Sequence, residues 1–534
     1  MIQNFFRNPK IVGFLAFLLV TANLNRPGIT IDEPLDVAPG RHYWEVLFER
    51  GFDFFTREGV NDAFGGNPDH PPLARWILGA SSHLLETIEI LWKGHGDPTQ
   101  AYILAARFAS ALAFGFTVAK IAGWASLHIS RQSGWFSGFA LLLMPRVYGH
   151  AHLAALETIL NLFCTLAVLS WLELLTLPKL RPTQLSLKAS LYLGLSLLTK
   201  IQGWLLGPWL LMLSLSKYRN PSIMMRAFLT GAGAIGIWFL GWPWLWFSSG
   251  TRLHEYFFRS VDRTPLRVLY FGQIYEDIAL PWHYVWVQFL TAIPLGLLLL
   301  FVLGCVLSLG YRTHFTGRTQ LRWMLLYVFG ILTVFSFPIS RYDSDRLFLV
   351  IYPVVALVIG ISADTLIGML SQGRNAFLIF TCLCLLSSSV NLLRPFPLSF
   401  YNILTGGLPG AIKSGLEPTF WADAIDPPLL SLLAKEQDPG QKASLLPTLH
   451  RGQALFSTPY ELLQREQILT DQSDWKNSSL ILVYRREAYW PDGLKQWLEA
   501  NRPIAVRERE GQWLSGIWPG PAGKVTRNPS SSIP

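Results

Sequence analysis

"IVGFLAFLLVTANLNRPGITIDEPLDVAPGRHYW", residues 11–44, sets an apolar run against a turn that carries two acids side by side, Asp32 and Glu33. The run follows Arg7 and Lys10 and lacks a small-residue cleavage site, so it reads as a retained first membrane helix and not as a removed signal peptide. Asp32 and Glu33 then stand where the chain leaves the bilayer. Adjacent carboxylates at such a boundary suit a general base or a cation site, and equally a helix cap before Pro34 or a solvated turn.

Composition extends this reading to the whole chain. Of its 534 residues 51% are hydrophobic and 15% charged, where a soluble globular domain carries roughly 25% charge. Apolar blocks approach the ~20 residues needed to cross hydrocarbon. They lie at 9–25, 101–128, 133–148, 150–176, 188–201, 203–217, 226–247, 285–310, 323–339, 346–369 and 376–394, eleven expected spans, with 188–217 also readable as one bent hairpin. The net charge of +9 does not point to nucleic acid, because the basic residues fall in short clusters between apolar runs. These are Arg7 and Lys10, Arg131, Lys179 with Arg181 and Lys188, Lys217 with Arg219 and Arg226, Arg312 with Arg318 and Arg322, and Arg374. With eleven spans every cluster lands on one side, which the positive-inside rule makes the cytoplasm. The expectation is a multi-pass protein of the plasma (inner) membrane, N-terminus cytoplasmic and C-terminus outside. Cys164, Cys305, Cys382 and Cys384 all sit in apolar runs, which predicts neither a disulfide nor a zinc site.

The outer side holds a long first loop (26–100), a second (248–284), a short one at "SRYDSDR" (340–346) and a tail, 395–534. The first loop carries "HYWEVLFERGFDFF" and "PPLARWILGASSHLLETIEILW", apolar at helical spacing, which predicts helices lying in the membrane interface. In the tail, "SLILVYR" (479–485) and "GQWLSGIW" read as strands and "WPDGLKQWLEANRP" as a helix. The expected fold is therefore an α-helical polytopic membrane domain, 1–394, followed by a small α/β extracytoplasmic domain, 395–534. Only the terminal "NPSSSIP" is of low complexity.

Chemistry-bearing residues gather on that outer side. Asp69 and His70 precede a double proline that starts a helix, where a cap explains the aspartate alone. His150 and Glu157 are seven apart, two turns along one face of the expected fourth span, and an ionised carboxylate within an apolar run needs a partner or a wet cavity. Lys200 lies at the turn after the fifth span, and Arg341, Tyr342 and Arg346 lie before the tenth. Cations at helix ends commonly snorkel. On the outer side they run against the topology rule, and a bound phosphate gives them a reason to be there. No cytoplasmic loop carries a Gly-rich phosphate cradle.

Several segments resemble the GT-C type of membrane glycosyltransferase, above all the branch that holds the protein O-mannosyltransferases and the aminoarabinose transferase of lipid A. They are "DEP" (32–34), "HPPLARW" (70–76), "GHAHLAALET" (149–158), "LGLSLLTKIQG" (193–203) and "SRYDSDRLFLVIYP" (340–353), in the family's order. "FGQIYEDIALPWHY" and "YNILTGGLPGAIKSGLEPTFWADA" are similar to segments of bacterial relatives. The resemblance covers residues 1 to about 430 and implies a GT-C fold with about eleven transmembrane helices. It implies an inverting transfer of a sugar from a polyprenyl-phosphate (or dolichyl-phosphate) donor to an acceptor lipid, glycan or protein on the outer face. By resemblance Asp32 is the general base and Glu33 supports it, Arg341 and Lys200 take the donor phosphate with His70 nearby, and Asp69 and Glu157 orient acceptor or sugar. His150 and Tyr342 are counted with the substrate-binding group. No cofactor beyond the lipid-linked donor is expected. Adjacent acids are able to hold a divalent metal, but none is expected.

Two departures matter. The acid of the fourth span is often Asp in relatives and is Glu157 here, and the tail lacks the repeats of eukaryotic protein mannosyltransferases, which argues against protein mannosylation. The alternative reading is a transporter or flippase of a lipid-linked substrate, which calls for pseudo-symmetric halves with paired broken helices that the sequence does not display. A surface-polysaccharide polymerase calls for its large loop late in the chain, and a receptor whose tail does the work leaves the boundary charges without a purpose.

Overall fold

The computed structural model describes residues 8–66, 68–93, 101–176, 182–217, 219–258, 264–309, 317–370, 373–438, 440–447, 468–469 and 472–523. Arg7, Lys179, Arg181, Arg312 and the terminal "NPSSSIP" lie outside the described residues.

Helix α1 (Ile11–Thr21) leads to the segment expected to be the first outer loop, which folds as α2 (Asp32–Arg50), α3 (Arg57–Phe64) and α4 (Leu73–Lys93). The Thr56 hydroxyl caps α3 by accepting the Gly59 N–H at 3.2 Å. Helices α2 and α4 cross where Gly40 and Gly79 face each other, backbone against backbone, with no room for a Cβ on either. The Trp44 indole N–H reaches the Trp76 carbonyl at 2.9 Å, and Arg41 pairs with Glu86 at 2.6 Å across the same crossing.

The helical body follows as α5 (Ala101–His128), α6 (Arg131–Leu142), α7 (Pro145–His150), α8 (Leu156–Thr176), α9 (Pro182–Leu197), α10 (Leu206–Leu215), α11 (Pro221–Leu240) and α12 (Ser249–Phe258). A hairpin of β1 (Arg267–Tyr270) and β2 (Gln273–Glu276) precedes α13 (Tyr284–Ala292), α14 (Leu295–Leu309), α15 (Arg318–Val334), α16 (Tyr352–Met369) and α17 (Arg374–Leu393). Asn220 with Pro221 starts α11 as cap and first residue, the side chain accepting the Ile223 N–H at 3.2 Å.

Five described stretches are long and apolar enough to cross a membrane, Tyr102–His128, Leu156–Leu174, Pro221–Leu240, Arg346–Met369 and Arg374–Leu393, where the sequence predicted eleven spans. The run expected at 285–310 forms two helices bent by 116° and broken at Pro294, which has no N–H to continue the ladder; taken as one broken span, the pair is a sixth crossing. The first run keeps only 11 helical residues, about 17 Å against a hydrocarbon core of ~30 Å. The crossing helices take different positions. The Arg346–Met369 stretch is 94% buried and forms the centre of the bundle, whereas Pro221–Leu240 and Arg374–Leu393 are 22% and 17% buried. Their outward Phe228, Leu240, Leu386 and Leu393 form an apolar surface suited to lipid.

After α17 the chain runs back over the bundle through α18 (Gly407–Lys413), then forms α19 (Pro427–Glu436), β3 (Ala443–Leu446), β4 (Ile468–Leu469), β5 (Leu480–Tyr484), α20 (Leu494–Ala500), β6 (Ala505–Arg509) and β7 (Gln512–Pro519). The sheet order is β4-β3-β5-β7-β6, with β3 parallel to β4 and β5, and β7 antiparallel to β5 and β6. The tail segments read as strand, helix and closing strand form β5, α20 and β7. Strand β5 is buried along its whole length, because Leu480, Leu482 and Tyr484 pack towards α19 and Ile481 and Val483 towards α20.

Candidate active site

Two acids open α2, where the helix dipole favours negative charge. Their side chains go to opposite tasks. Glu33 is fully buried and accepts from Arg107 through both oxygens (2.6 and 2.7 Å), from the Thr30 N–H (2.8 Å) and hydroxyl (3.1 Å), and from the Ala154 N–H (2.8 Å). Arg107 spends its remaining donors on the carbonyls of Leu24, Pro27 and Gly28. Every lone pair and proton of this pair is used within the protein, so Glu33 is a clamp on the chain's exit from the bundle. Asp32 points the other way and pairs with Arg346.

The bond from Ala154 to Glu33 also corrects the expected geometry of His150 and Glu157. That N–H is drawn out of any helical ladder, and the chain breaks between α7 and α8. His150 ends one helix and Glu157 begins the next, so they share no continuous face. His150 is buried, with its ring edge-on to Trp421 at 5.2 Å. Glu157 receives Lys200 Nζ at 2.5 Å and Arg346 Nε at 2.6 Å on one oxygen.

Lys200 arrives on the turn between α9 and α10, and the Leu73 N–H bonds to the Leu198 carbonyl at 3.0 Å, tying that turn to the Pro71-Pro72 start of α4. His70 is thereby brought near Lys200. Burial first, then Lys200, Arg75 and Arg346, hold its imidazole well below its ordinary range, so it is neutral at pH 7 and acts as a hydrogen-bonding group and not as a cation. Asp69 stays exposed in the same turn.

Arg346 is the centre of the cluster. Its guanidinium meets Asp32, Glu157 and, at 3.1 Å, Asp343, lies 4.5 Å from the centroid of Trp421, and has Tyr342 at 6.0 Å. Arg341, expected to take a phosphate, is placed elsewhere. Its side chain donates to the carbonyls of Ile278, Leu280, Pro281 and Ile339 and braces the loop before α13. Between the two arginines Asp343 and Ser344 have φ of 54° and 62°. Two successive non-glycine residues in that region cost on the order of 1–3 kcal/mol each and persist only when neighbours over-determine them. Here Arg146 reaches Ser344 and Asp345, Gln288 accepts from Ser344 at 2.6 Å, and Tyr352 donates to Asp345 at 2.6 Å.

Some members were missed in the sequence. Asp36 lies one turn beyond Asp32 on the same face and pairs with Arg75 at 3.2 Å, and burial raises its carboxyl to about 6 against that arginine's pull. The spacing in "DEPLD" signals it. Trp421 and Asp343 carry no such signal, because long-range packing brings them in. Among the described residues no three or more His, Cys, Asp or Glu side chains are grouped to hold a metal ion. Cations already neutralise these acids.

A cavity of about 720 Å³ opens between the end of α1, the end of α17 and the returning chain, lined among others by Arg26, Thr30, Arg107, His152, Leu393 and Asp423. Asp32, Glu157, Lys200 and Arg346 do not line it. Arg107 and Thr30, the partners of Glu33, are part of its lining.

The helical body and the roofing helices of the first loop together have the GT-C fold. No family model and no curated protein matches the chain. Among solved structures it is similar to ArnT from Cupriavidus metallidurans in the apo state, with a TM-score of 0.52 at 14% identity over 95% of this chain and 97% of that one. The same protein bound to undecaprenyl phosphate matches with a TM-score of 0.51 at 14% identity and the same coverage. The Archaeoglobus fulgidus oligosaccharyltransferase in the apo form aligns at 0.45 and 10% identity over 89% of this chain and 69% of that one.

Proposed function

We propose that the chain is an inverting glycosyltransferase that moves a sugar from a polyprenyl-phosphate donor to an acceptor on the outer face of the membrane. One observation carries the reading. Asp32 and Glu157 pair with Arg346 and Lys200 pairs with Glu157, and of these side chains Asp32 is the most accessible, 23% exposed against 9% for Arg346 and 3% for Glu157 and Lys200. The base that must meet an incoming acceptor is the outward member, and the cations that must meet a phosphate lie deeper. The fold likeness to an ArnT structure that holds undecaprenyl phosphate supports a polyprenyl phosphate as the lipid of the donor.

The acceptor hydroxyl oxygen attacks the anomeric carbon from the face opposite the phosphate. Its proton passes to Asp32, and the bonding pair of the broken C–O bond leaves with the phosphate oxygen. The polyprenyl phosphate departs with its added negative charge paired to Arg346 and Lys200, so no acid is required. Arg346 sits on Asp32. A donor phosphate that draws Arg346 towards itself frees the carboxylate to accept a proton, which couples base activation to donor binding. His70, neutral, hydrogen-bonds the sugar or phosphate, and Glu157 keeps Lys200 and Arg346 together. The charge that a divalent ion would supply comes from those two side chains.

The test uses the full chain in nanodiscs with a panel of radiolabelled polyprenyl-phosphate sugars. One donor should be turned over, and Asp32→Asn should lower that turnover by ~10²–10⁴-fold with donor binding retained, the usual worth of a general base. Glu33→Gln should instead cost about 3–5 kcal/mol of stability, because it breaks a buried ion pair. If no donor is consumed and the Asp32→Asn protein binds and behaves as wild type, the transferase reading fails and transport of the lipid becomes the better account.

A further inference from the structure

The C-terminal unit reaches the charge cluster through Arg486. Arg486 stands two residues past β5 and is 6% exposed. Its Nη1 donates to the Phe420 carbonyl at 2.7 Å and its Nη2 to Asp343 Oδ1 at 2.8 Å. The other oxygen of Asp343 accepts from Nη1 of Arg346 at 3.1 Å. One carboxylate is thus held between two guanidinium groups, one belonging to the tail and one to the site. Phe420 precedes Trp421, whose ring covers Arg346 at 4.5 Å, so Arg486 also anchors the second contact that fixes Arg346.

Arg486 is itself fixed. The Glu417 carboxyl accepts the N–H groups of Glu487 and Ala488 at 2.5 and 3.3 Å, and Arg486 lies 5.0 Å from the Tyr489 ring. Asp343 sits at φ 54°, in the left-handed region that costs a side chain energy, although less for aspartate than for most residues. The two contacts from Arg486 use the forked geometry of a guanidinium, which a lysine ammonium cannot reproduce.

We infer that Arg486 is a positioning residue of the donor-phosphate site: the C-terminal unit sets the orientation of Arg346 through Asp343 and Trp421. The inference rests on the reading that Arg346 receives a phosphate. It gives the tail sheet a part in substrate binding, beyond covering the site.

The probes are undecaprenyl phosphate and undecaprenol, titrated into the full chain in nanodiscs. Wild type should prefer the phosphate, and Arg346→Gln should lose that preference. Arg486→Gln should weaken phosphate binding about tenfold and leave undecaprenol binding unchanged, whereas general damage to the fold would weaken both. Arg485→Gln removes the same charge one residue away, where the side chain pairs with Glu487 at 3.0 Å, and should bind as wild type. Arg486→Lys should recover only part of the loss. A wild-type phosphate preference in Arg486→Gln, with the preference lost in Arg346→Gln, overturns the inference and leaves the phosphate reading intact. No preference in wild type overturns both. Should the Gln variant not fold, Arg486→Lys decides: wild-type affinity overturns the positioning role and a several-fold loss supports it.

Discussion

Glu417 shows how single groups in this protein depend on burial. Taken out of water between the bundle and the tail, its carboxyl rises from an ordinary 4.5 to about 8, although Arg486 and the Glu487 and Ala488 N–H groups pull the other way. The folded protein therefore holds a proton that the unfolded chain releases. The associated stability is complete below about 4.5 and is lost as pH rises through about 8. The melting temperature should fall between about pH 4.5 and about pH 8 and level off above that, and Glu417→Gln should flatten that limb; an unchanged slope in the variant would assign it to other groups. At this same scale the sequence singled out Asp32 and Glu33 together because they are neighbours. The resemblance made Asp32 the base and Glu33 its support, but the residues themselves could not give their partners, since which acid meets Arg107 and which meets Arg346 depends on the direction each side chain takes from the first turn of α2.

Among elements, the α2–α4 crossing places the site. Asp32 begins α2, His70 leads into α4, and the two helices meet at Gly40 and Gly79 with their backbones in contact. A side chain larger than hydrogen has no space there. Gly79→Leu should destabilise the protein by at least about 1–3 kcal/mol, the usual cost of overpacking. It should also impair donor turnover, because the His70 turn moves with α4. Thermal melts together with turnover check this, and a variant with wild-type values for both would show that the crossing gives way easily. The amphipathic pattern of 42–55 and 71–92 made these helices legible in advance. The break between α7 and α8 was not, because "GHAHLAALET" continues an apolar helical pattern and only a carboxylate from a distant segment interrupts it.

For the whole molecule, the placement of charge along the chain predicts a cytoplasmic N-terminus and an outer C-terminal unit. Alkaline phosphatase, which is active only outside the cytoplasm, should be active when fused after Pro534 and inactive when fused at the Arg374 loop. The opposite result would reverse the orientation. The apolar blocks, the basic clusters and the strand–helix–strand pattern of the tail were all determined by the sequence, because hydrocarbon thickness, membrane topology and local periodicity each read residues in order along the chain. The choice of Arg346 over Arg341, the inward clamp of Glu33 on Arg107, and the path from Arg486 through Asp343 to Arg346 were decided only by the tertiary structure. Each joins segments tens to hundreds of residues apart, and buried charges take their partners from whatever the packed fold sets beside them.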